Sequence, residues 1–374
     1  MNVIFTCGGT GGHINPAIAV ANILKERHPD CKILFIGAQN HMEEKLVPRA
    51  GYELKVLPGG GLARSLNWKS VKRNAKVVGR LFRAINQCKQ IIREFDADVI
   101  VGTGGYASFP ALYAGAAMGI PTCVHESNAV PGLTTKLAAN RATKVLVSFA
   151  ESAQYYRHPE KVEVVGMPVR KEFITTRKEE ARKELGLDAR PLIVSAFGSL
   201  GAEAMNHAVV EMLKLEQEAG FPFQHIHATG AYGWEWMPGK LDEMGLTKEQ
   251  CPGVDVREYI YNMPTVMAAA DVIISRAGAS SCNEIGASGT PCILIPSPNV
   301  TNHHQEKNAA ILESRGAALV LPEPQCNGKA LFDTVTALVE DPQRCAQMSC
   351  ALRNMVVLDS ADRICDMIET LSCR

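Results

Sequence analysis

The sequence predicts an α/β protein made of two doubly wound domains, each a parallel sheet with helices on both faces. Short hydrophobic runs recur along its 374 residues with amphipathic stretches between them, a pattern typical of βαβ units. The first run leads into a glycine-rich turn and then a helical pattern. The second half of the chain repeats the order strand, glycine turn, helix, Gly-x-Pro. A chain of this length is expected to form two cores rather than one.

The first predicted strand, at residues 3–5, ends in four glycines within residues 8–12, and His13 and a helical pattern follow. Glycines allow a tight turn and leave amide N–H groups uncovered at a helix N-terminus, where an anion or a sugar can bind. A plain structural turn is the alternative, because glycine turns after strands are common. A dinucleotide site is disfavoured, since Ile14 occupies the third fingerprint position and residues 37–40 contain no acid for a ribose.

The internal duplication pairs residues 98–108 with residues 271–281, and an alanine-rich helix and a Gly-x-Pro turn follow each segment. Residues 198–202 form a second opening turn between a strand and a helix. Because ligands of doubly wound sheets bind beyond the carboxyl ends of the strands, we expect a site in a cleft between the two domains. The predicted domains are residues 1–165, residues 166–356, and a C-terminal helix at 357–374 that returns to the first domain.

Composition excludes several classes of function. Lys plus Arg equals Asp plus Glu at 39 each, so the net charge of zero gives no general attraction for nucleic acid. The 12 cysteines occur singly in hydrophobic stretches, which indicates buried thiols in a reducing cytoplasm rather than disulfides or zinc sites. No window reaches the roughly 18 apolar residues that a membrane span requires. We therefore expect a soluble protein, or at most a peripheral membrane protein.

Polar residues follow several predicted strands. His125, Glu126 and Asn128 come directly after a buried strand, where they can line a cleft, although loop polarity alone would also account for them. Arg276 is interpreted equally as a surface charge or as a tie between domains. Glu284 falls in the first turns of a helix, where the helix dipole favours its carboxylate, which can also accept hydrogen bonds from a diol such as ribose.

The sequence does not predict a metal site. Asp96 and Asp98 resemble a metal-binding pair, but they precede their strand and so lie at the amino edge of the sheet, away from ligands. His303 and His304 are adjacent, and neighbouring residues of a helix point about 100° apart. No third ligand is close in sequence, so hydrogen bonding to a sugar or phosphate is the better interpretation of this segment.

Residues 59–93 contain nine Lys or Arg residues and no acid, interleaved with apolar residues. This predicts a basic amphipathic helix that docks on an anionic bilayer, with each cation contributing about 1 kcal/mol near the surface. The alternative is that its apolar stripe simply packs on the sheet. The proposed membrane patch consists of Lys72, Arg73, Lys76, Leu81, Phe82 and Ile85.

Six motifs in this order make the sequence resemble the MurG family over essentially its full length. They are Gly8-Gly-Thr-Gly-Gly-His13, Gly104-Gly-Tyr106, His125-Glu126-x-Asn128, Pro168-Val-Arg170, Gly198-Ser199-x-Gly-Ala202 and Glu284. The resemblance implies the GT-B fold, two Rossmann-like domains with a cleft between them. It also implies transfer of N-acetylglucosamine from UDP-GlcNAc to the C4 hydroxyl of the muramoyl sugar of lipid I, with inversion. The product would be lipid II, made at the cytoplasmic face of the cell membrane by a peripheral enzyme of peptidoglycan synthesis without a cofactor.

Carried over by position, the resemblance assigns the donor mainly to the second domain. Uracil would meet the backbone at Ile260, the ribose would meet Glu284, and the diphosphate would meet Ser199 and its turn. The family often has glutamine in place of His304 and glycine in place of Phe197. The residues assigned to donor binding are Thr10, Gly11, Gly12, Asn128, Arg170, Ser199, Ile260, Ala279, Ser280, Ser281, Cys282, Asn283, Glu284 and Gln305.

The expected chemistry follows from the leaving group. UDP departs with negative charge, which amides of the turn at residues 198–202 and Arg170 can stabilise without a metal. A base must take the proton of the acceptor hydroxyl. We expect His13 in that role, with Glu126 as the second candidate. The alternatives are a GT-B relative with another acceptor, a UDP-sugar 2-epimerase, and a UDP-sugar binding protein without catalytic activity.

Overall fold

The computed structural model describes residues 1–58, 68–246, 251, 253–300 and 303–373, with side chains from residue 79 onward in the helix Trp68–Phe95. The chain forms two compact units. Unit 1 comprises residues 1–169 together with 357–374, and unit 2 comprises residues 170–356. Each unit is built around its own parallel sheet.

The described part of unit 1 contains a seven-stranded sheet. Its strands are β1 Asn2–Cys7, β2 Lys32–Ala38, β3 Glu53–Leu57, β4 Val99–Gly104, β5 Thr122–Glu126, β6 Lys144–Val147 and β7 Val162–Val164. They pair in parallel in the order β3-β2-β1-β4-β5-β6-β7. The helices between them are α1 Gly11–Arg27, α2 Glu43–Arg49, α3 Trp68–Phe95, α4 Ser108–Ala117 and α5 Leu133–Ala139, with 3-10 turns at Ala150–Tyr155 and Pro159–Lys161.

The described part of unit 2 contains a six-stranded sheet. Its strands are β8 Leu192–Ala196, β9 Gln224–Ala228, β10 Val254–Arg257, β11 Val272–Ser275, β12 Cys292–Leu294 and β13 Leu319–Val320, in the parallel order β10-β9-β8-β11-β12-β13. Its helices are α6 Glu172–Thr175, α7 Lys178–Glu184, α8 Glu203–Glu218, α9 Gly230–Trp234, α10 Met237–Glu243, α11 Met263–Ala269, α12 Ala279–Ser288, α13 His304–Ser314, α14 Gly328–Val339 and α15 Pro342–Met355. A 3-10 turn spans Glu323–Gln325.

The two sheets share one topology, which determines where a ligand can bind in each unit. β1 pairs with both β2 and β4, and β8 pairs with both β9 and β11, so the strand order reverses at β1 and at β8. Crevices for ligands open at such reversal points, beyond the carboxyl ends of the strands. The glycine turns at residues 8–12 and 198–202 follow β1 and β8 directly, and each therefore lies at the expected edge of its own sheet.

Two acids at the amino edges support the duplication in atomic detail. Asp98, which precedes β4, accepts a hydrogen bond from the backbone N–H of Asn2 at 2.7 Å. Asp271, which precedes β11, accepts one from the backbone N–H of Leu192 at 2.8 Å. Each carboxylate thus joins its strand to the start of the neighbouring strand. This is a structural role for the acids that open these strands, at the edge opposite the glycine turns.

The last helix, α16 Ser360–Ser372, packs against α1 in unit 1. Its apolar face, including Ile364 and Ile368, is buried in the same cluster as Phe5 and Val20. Arg27 at the end of α1 pairs with the acids Asp362, Asp366 and Glu369 of α16.

Candidate functional site

The glycine turn of unit 1 leaves backbone donors at the start of a helix. α1 begins at Gly11 after Thr10, whose side chain makes no capping hydrogen bond. Gly9 has φ of +90°, a conformation that glycine adopts at little cost. The amides of Gly11 and Gly12 belong to the first turn, where N–H groups have no partner within the helix. They can therefore donate to an anion or a sugar hydroxyl.

A buried carboxylate holds this turn from behind. Glu43, at the start of α2, is fully buried. Its Oε2 accepts the N–H of Gly9 at 3.0 Å, and its Oε1 accepts the N–H of Ala38 at 2.8 Å. An acid therefore does follow β2, but backbone amides occupy the oxygens that a ribose would use in a dinucleotide site. Sequence reasoning missed Glu43, although an acid shortly after the second strand was visible in the printed chain.

His13 is oriented by the end of the neighbouring strand β4. Its Nδ1 lies 3.0 Å from the carbonyl oxygen of Thr103, and the Thr103 hydroxyl donates to the His13 carbonyl at 2.6 Å. Since a carbonyl only accepts, Nδ1 carries the proton, and in the neutral ring Nε2 is the basic nitrogen. Gly104 makes this approach possible, because a Cβ on it would lie 2.5 Å from Nδ1. The structure thus sets the tautomer that a general base at Nε2 requires.

Glu126 shapes a loop rather than projecting into open space. Its side chain is buried, and Oε1 accepts both the backbone N–H and the side-chain Nδ2 of Asn128, each at 3.0 Å. Oε2 accepts the N–H of Gly132 at 3.2 Å. Next to it, His125 is buried with Nε2 on the Gly166 carbonyl at 2.8 Å, and burial lowers the pKa of this imidazole. The segment predicted to line a cleft is thus mostly internal, with Asn128 its less buried member.

The glycine turn of unit 2 is more exposed. Gly198 and Gly201 have φ of +95° and +80°, and the N–H of Gly201 closes the turn on the Gly198 carbonyl at 3.0 Å. Ser199 lies exposed at its tip, and α8 begins immediately after Ala202. This arrangement matches the expectation for an anion-binding turn that opens a helix.

The first turn of α12 supplies donors over a shorter range than the sequence predicts. Helix α12 begins at Ala279, so the N–H groups of Ala279, Ser280 and Ser281 are at its open end. The N–H of Cys282 donates to the Gly278 carbonyl at 2.9 Å. The backbone N–H of Cys282, one of the residues assigned to donor binding, is therefore bonded within the helix and does not face a ligand.

The side chain of Glu284 occupies an unusual electrostatic position. Burial raises the pKa of its carboxyl to about 7, against an opposing effect of the Arg170 guanidinium. Arg170 itself lies over the ring of Phe173, 5.1 Å from the centroid. A carboxyl group that titrates near neutral pH and has a cation in the same unit is typical of a functional site.

Other predicted donor residues of unit 2 follow the same carboxyl edge. Ile260 comes after β10 with its side chain buried, so its backbone is the part that can meet a base. Gln305, near the start of α13, accepts the N–H of Ser297 on Oε1 at 2.8 Å, which leaves its Nε2 group to donate to a sugar. Arg276 pairs with Glu323 and donates to the Ile295 carbonyl, so it joins segments of unit 2.

The described residues of the predicted membrane patch are only partly exposed to solvent. Phe82 on α3 is 64% exposed, and Arg80 and Arg83 beside it are exposed. Ile85 is buried in the core and Leu81 packs against that core. The expectation that Ile85 belongs to the patch is therefore wrong, because the apolar stripe of α3 faces the sheet. The side chains of Lys72, Arg73 and Lys76 lie outside the described residues.

The described residues contain neither a metal-binding cluster nor a membrane-spanning helix. Within the described ranges, no three His, Cys, Asp or Glu side chains are grouped so that they could bind a metal ion. Of the helices that the structure describes, none has both the length and the apolar character needed to cross a bilayer.

Comparison with known proteins gives the family. Residues 3–147 match the glycosyltransferase family 28 N-terminal domain, and residues 192–364 match the C-terminal domain of that family. The chain is 40% identical over 373 residues to a Thermoanaerobacter sp. strain X514 protein, with 100% of each chain covered. That relative is named UDP-N-acetylglucosamine--N-acetylmuramyl-(pentapeptide) pyrophosphoryl-undecaprenol N-acetylglucosamine transferase.

Solved structures add the fold. MurG of Acinetobacter baumannii superposes with a TM-score of 0.74 at 24% identity, covering 99% of each chain. The UDP-GlcNAc 2-epimerase of Neisseria meningitidis bound to UDP-GlcNAc reaches 0.68 at 14% identity, covering 99% of this chain and 100% of the epimerase. The fold is therefore common to transferases and epimerases and does not separate them. The full-length sequence identity to the named relative distinguishes this chain from the epimerases. This chain is a GT-B protein of glycosyltransferase family 28, in its MurG family.

Proposed function

We propose that the chain transfers N-acetylglucosamine from UDP-GlcNAc to the C4 hydroxyl of the muramoyl sugar of lipid I, forming lipid II with inversion. The observation that carries this proposal is the full-length match to relatives named for that reaction. The site geometry supports it with two glycine turns that open helices and with an oriented histidine.

In this proposal unit 2 holds the donor. The amides at residues 198–202 and at the start of α12 donate to the diphosphate, where negative charge grows as UDP leaves. Arg170 adds a cation. Ionised Glu284 accepts hydrogen bonds from the two ribose hydroxyls, and the backbone at Ile260 contacts the uracil. Preorganised amides need no rearrangement when the charge appears, so this stabilisation favours the transition state.

His13 is the base in this proposal. The Thr103 carbonyl holds the proton on Nδ1, so Nε2 can take the proton of the acceptor hydroxyl as the C–O bond forms. The carboxylate of Glu126 already accepts three N–H groups from Asn128 and Gly132, and taking up a proton would weaken those hydrogen bonds. We therefore assign Glu126 to shaping the loop that carries Asn128.

The decisive experiment measures UDP release from UDP-GlcNAc with and without a soluble lipid I analogue. A transferase releases UDP only when the acceptor is present, and the disaccharide product forms in equal amount. UDP-GlcNAc consumption without the acceptor would instead indicate an epimerase. Binding of UDP-GlcNAc without any turnover would indicate a binding protein.

We further propose that α3 docks the protein on the anionic inner leaflet, where lipid I is anchored. Exposed Phe82 between Arg80 and Arg83 supports this, because an apolar ring flanked by cations suits an anionic interface. Replacing Lys72, Arg73 and Lys76 with Glu should weaken binding to anionic liposomes. The matched control makes the same change of charge at three exposed lysines of unit 2, Lys183, Lys214 and Lys329. Equal binding by both variants would refute the docking proposal.

A further inference from the structure

A continuous chain of buried polar side chains runs through unit 2 behind its glycine turn. Glu216 Oε1 lies 2.9 Å from His225 Nδ1, and His225 Nε2 lies 2.8 Å from the Ser195 hydroxyl. That hydroxyl is 2.7 Å from His227 Nδ1, and His227 Nε2 is 3.2 Å from Asn206 Oδ1. All five side chains are at most 1% exposed. Polar groups are costly to bury, so a chain of five calls for an explanation.

The order Ser195, His225, Glu216 resembles the triad of an acyl-transfer enzyme, but burial excludes that chemistry. A nucleophilic serine must reach a substrate carbonyl, and neither Ser195 nor its histidine partner has any exposed surface. Burial and the nearby His225 also lower the pKa of His227 to about 3, so its ring stays neutral at working pH.

Asn206 determines the direction of the hydrogen bonds. Its Nδ2 donates to the backbone carbonyl of Thr229 at 2.9 Å, so its Oδ1 faces His227 and accepts from Nε2–H. The other nitrogen of the neutral His227 ring must then accept, and its donor is the Ser195 hydroxyl. The Ser195 oxygen in turn accepts from His225 Nε2–H. One arrangement of protons therefore satisfies every link from His225 Nε2 to the Thr229 carbonyl.

The end of this chain lies directly under the glycine turn. A Cβ on Gly201 would lie 2.0 Å from the Thr229 carbonyl oxygen, so the two backbones are in direct contact. The next two amides, those of Ala231 and Tyr232, donate to the carbonyls of Ser199 and Leu200 at 3.3 and 3.2 Å. A shift of the Thr229 peptide would therefore move the tip of the turn.

The links also join the elements that surround the turn. Ser195 is on β8, the strand that enters the turn, and Asn206 is on α8, the helix that leaves it. His225 and His227 are on β9, which leads to the Thr229 peptide. These hydrogen bonds therefore hold β8, α8 and the Thr229 peptide in fixed positions around the glycine turn.

We propose that Ser195, His227 and Asn206 are positioning residues that hold the turn at residues 198–202 in the geometry that binds a nucleoside diphosphate. This inference rests on the proposed function, because it takes that turn as the diphosphate site. The side chains do not touch the ligand. They act through the Thr229 peptide and the backbone of the turn. Their loss should therefore lower the affinity for the diphosphate part of the ligand and leave the affinity for the nucleoside part unchanged.

The test measures the affinities of UDP and of uridine for Ser195→Ala and the unchanged protein. Ser195→Ala removes one oxygen atom and leaves His225 Nε2 and His227 Nδ1 without their shared partner, while each ring keeps its other hydrogen bond. We expect UDP to bind about tenfold more weakly, the equivalent of one or two buried hydrogen bonds, while uridine affinity stays the same. Asn206→Asp is the second variant, since it keeps the shape and the acceptor for His227 but cannot donate to Thr229.

The matched control is Thr290→Val. The buried Thr290 hydroxyl donates to the Met267 carbonyl at 3.0 Å, before β12 at the amino edge of the same sheet. This variant should lose similar thermal stability yet bind UDP normally. Equal UDP affinity in Ser195→Ala and the unchanged protein, or equal weakening of UDP and uridine, would overturn the positioning role. Failure of the unchanged protein to bind UDP would instead refute the proposed donor site itself.

Discussion

The raised pKa of Glu284 predicts that donor affinity depends on pH. With a pKa of about 7, about one-tenth of the ligand-free protein carries ionised Glu284 at pH 6 and about nine-tenths at pH 8. Ribose hydroxyls donate hydrogen bonds, so they favour the ionised carboxylate and lower its pKa on binding. UDP should therefore bind about tenfold more tightly at pH 8 than at pH 6, and binding near pH 7 should release about half a proton per UDP from Glu284.

Isothermal titration calorimetry in two buffers with different ionisation enthalpies measures both the affinity and the proton release. The diphosphate of UDP also titrates near this range, so the control is Glu284→Gln, which keeps the size of the side chain without its charge. The difference between the two proteins isolates the carboxyl group. If both proteins show the same pH dependence and the same proton release, Glu284 does not contact the ribose in its ionised form.

The same carboxyl group predicts a pH effect on stability without ligand. The pKa is raised in the folded state, so between about pH 4.5 and pH 7 the folded chain holds a proton that the unfolded chain releases. Stability should consequently fall as pH rises through this window, relative to Glu284→Gln. Saturating UDP should reduce the loss, because the ribose stabilises the carboxylate. Thermal unfolding of both proteins across the window measures the effect, and a rise in relative stability would contradict the assignment.

Three further predictions concern unit 1. His13→Ala should lower kcat about 10²–10⁴-fold with nearly unchanged UDP affinity, and near-normal turnover in steady-state assays would remove His13 as the base. Glu126→Gln presents an amide donor to either the Asn128 or the Gly132 N–H, so it should raise the KM for the donor while the pH profile of kcat keeps its shape. Loss of the acidic limb of that profile would point to Glu126 as the base. Arg27→Ala should lower stability by about 1 kcal/mol at low salt and less at 1 M salt, because its partners on α16 are partly exposed. Thermal unfolding at both salt concentrations measures this, and salt-independent loss would indicate packing instead.

The fold was predictable because its signals are local. Hydrophobic runs, glycine turns and Gly-x-Pro turns are read within a few residues, and they placed β1, β4, β8 and β11 correctly. The parallel order then follows from the rules for βαβ units. The apolar stripe of α3 was less clear, since the same pattern suits a bilayer and a sheet. Packing of Ile85 in the core resolves that residue in favour of the sheet.

The sequence indicated which residues could belong to the candidate site, but not which of them hydrogen-bond to one another. His13 and Glu284 stand in motifs, so the sequence was enough to propose both as candidate residues. Glu43 holds the Gly9 amide across 34 positions, and Ser195 meets His227 across 32 positions. Such contacts depend on which strands become neighbours, and no local pattern encodes them. Glu126 illustrates the same limit, because a carboxylate beside an asparagine can be a base or a loop clamp until its hydrogen bonds are known.

The two repeats agree at the amino edges of their sheets, where the residues stabilise the fold. They differ at the carboxyl ends of the strands, where ligands are expected to bind. At the amino edges, Asp98 and Asp271 make the same hydrogen bond to the neighbouring strand. At the carboxyl end of β4, Gly104 has φ of +114° and leaves space that the His13 ring fills. The matching position of the second repeat, Ala277, leads into α12, whose open amides suit a donor. A substitution at Gly104 is therefore expected to displace the ring of His13, the proposed base, and to leave the amides of α12, the proposed donor site, in place.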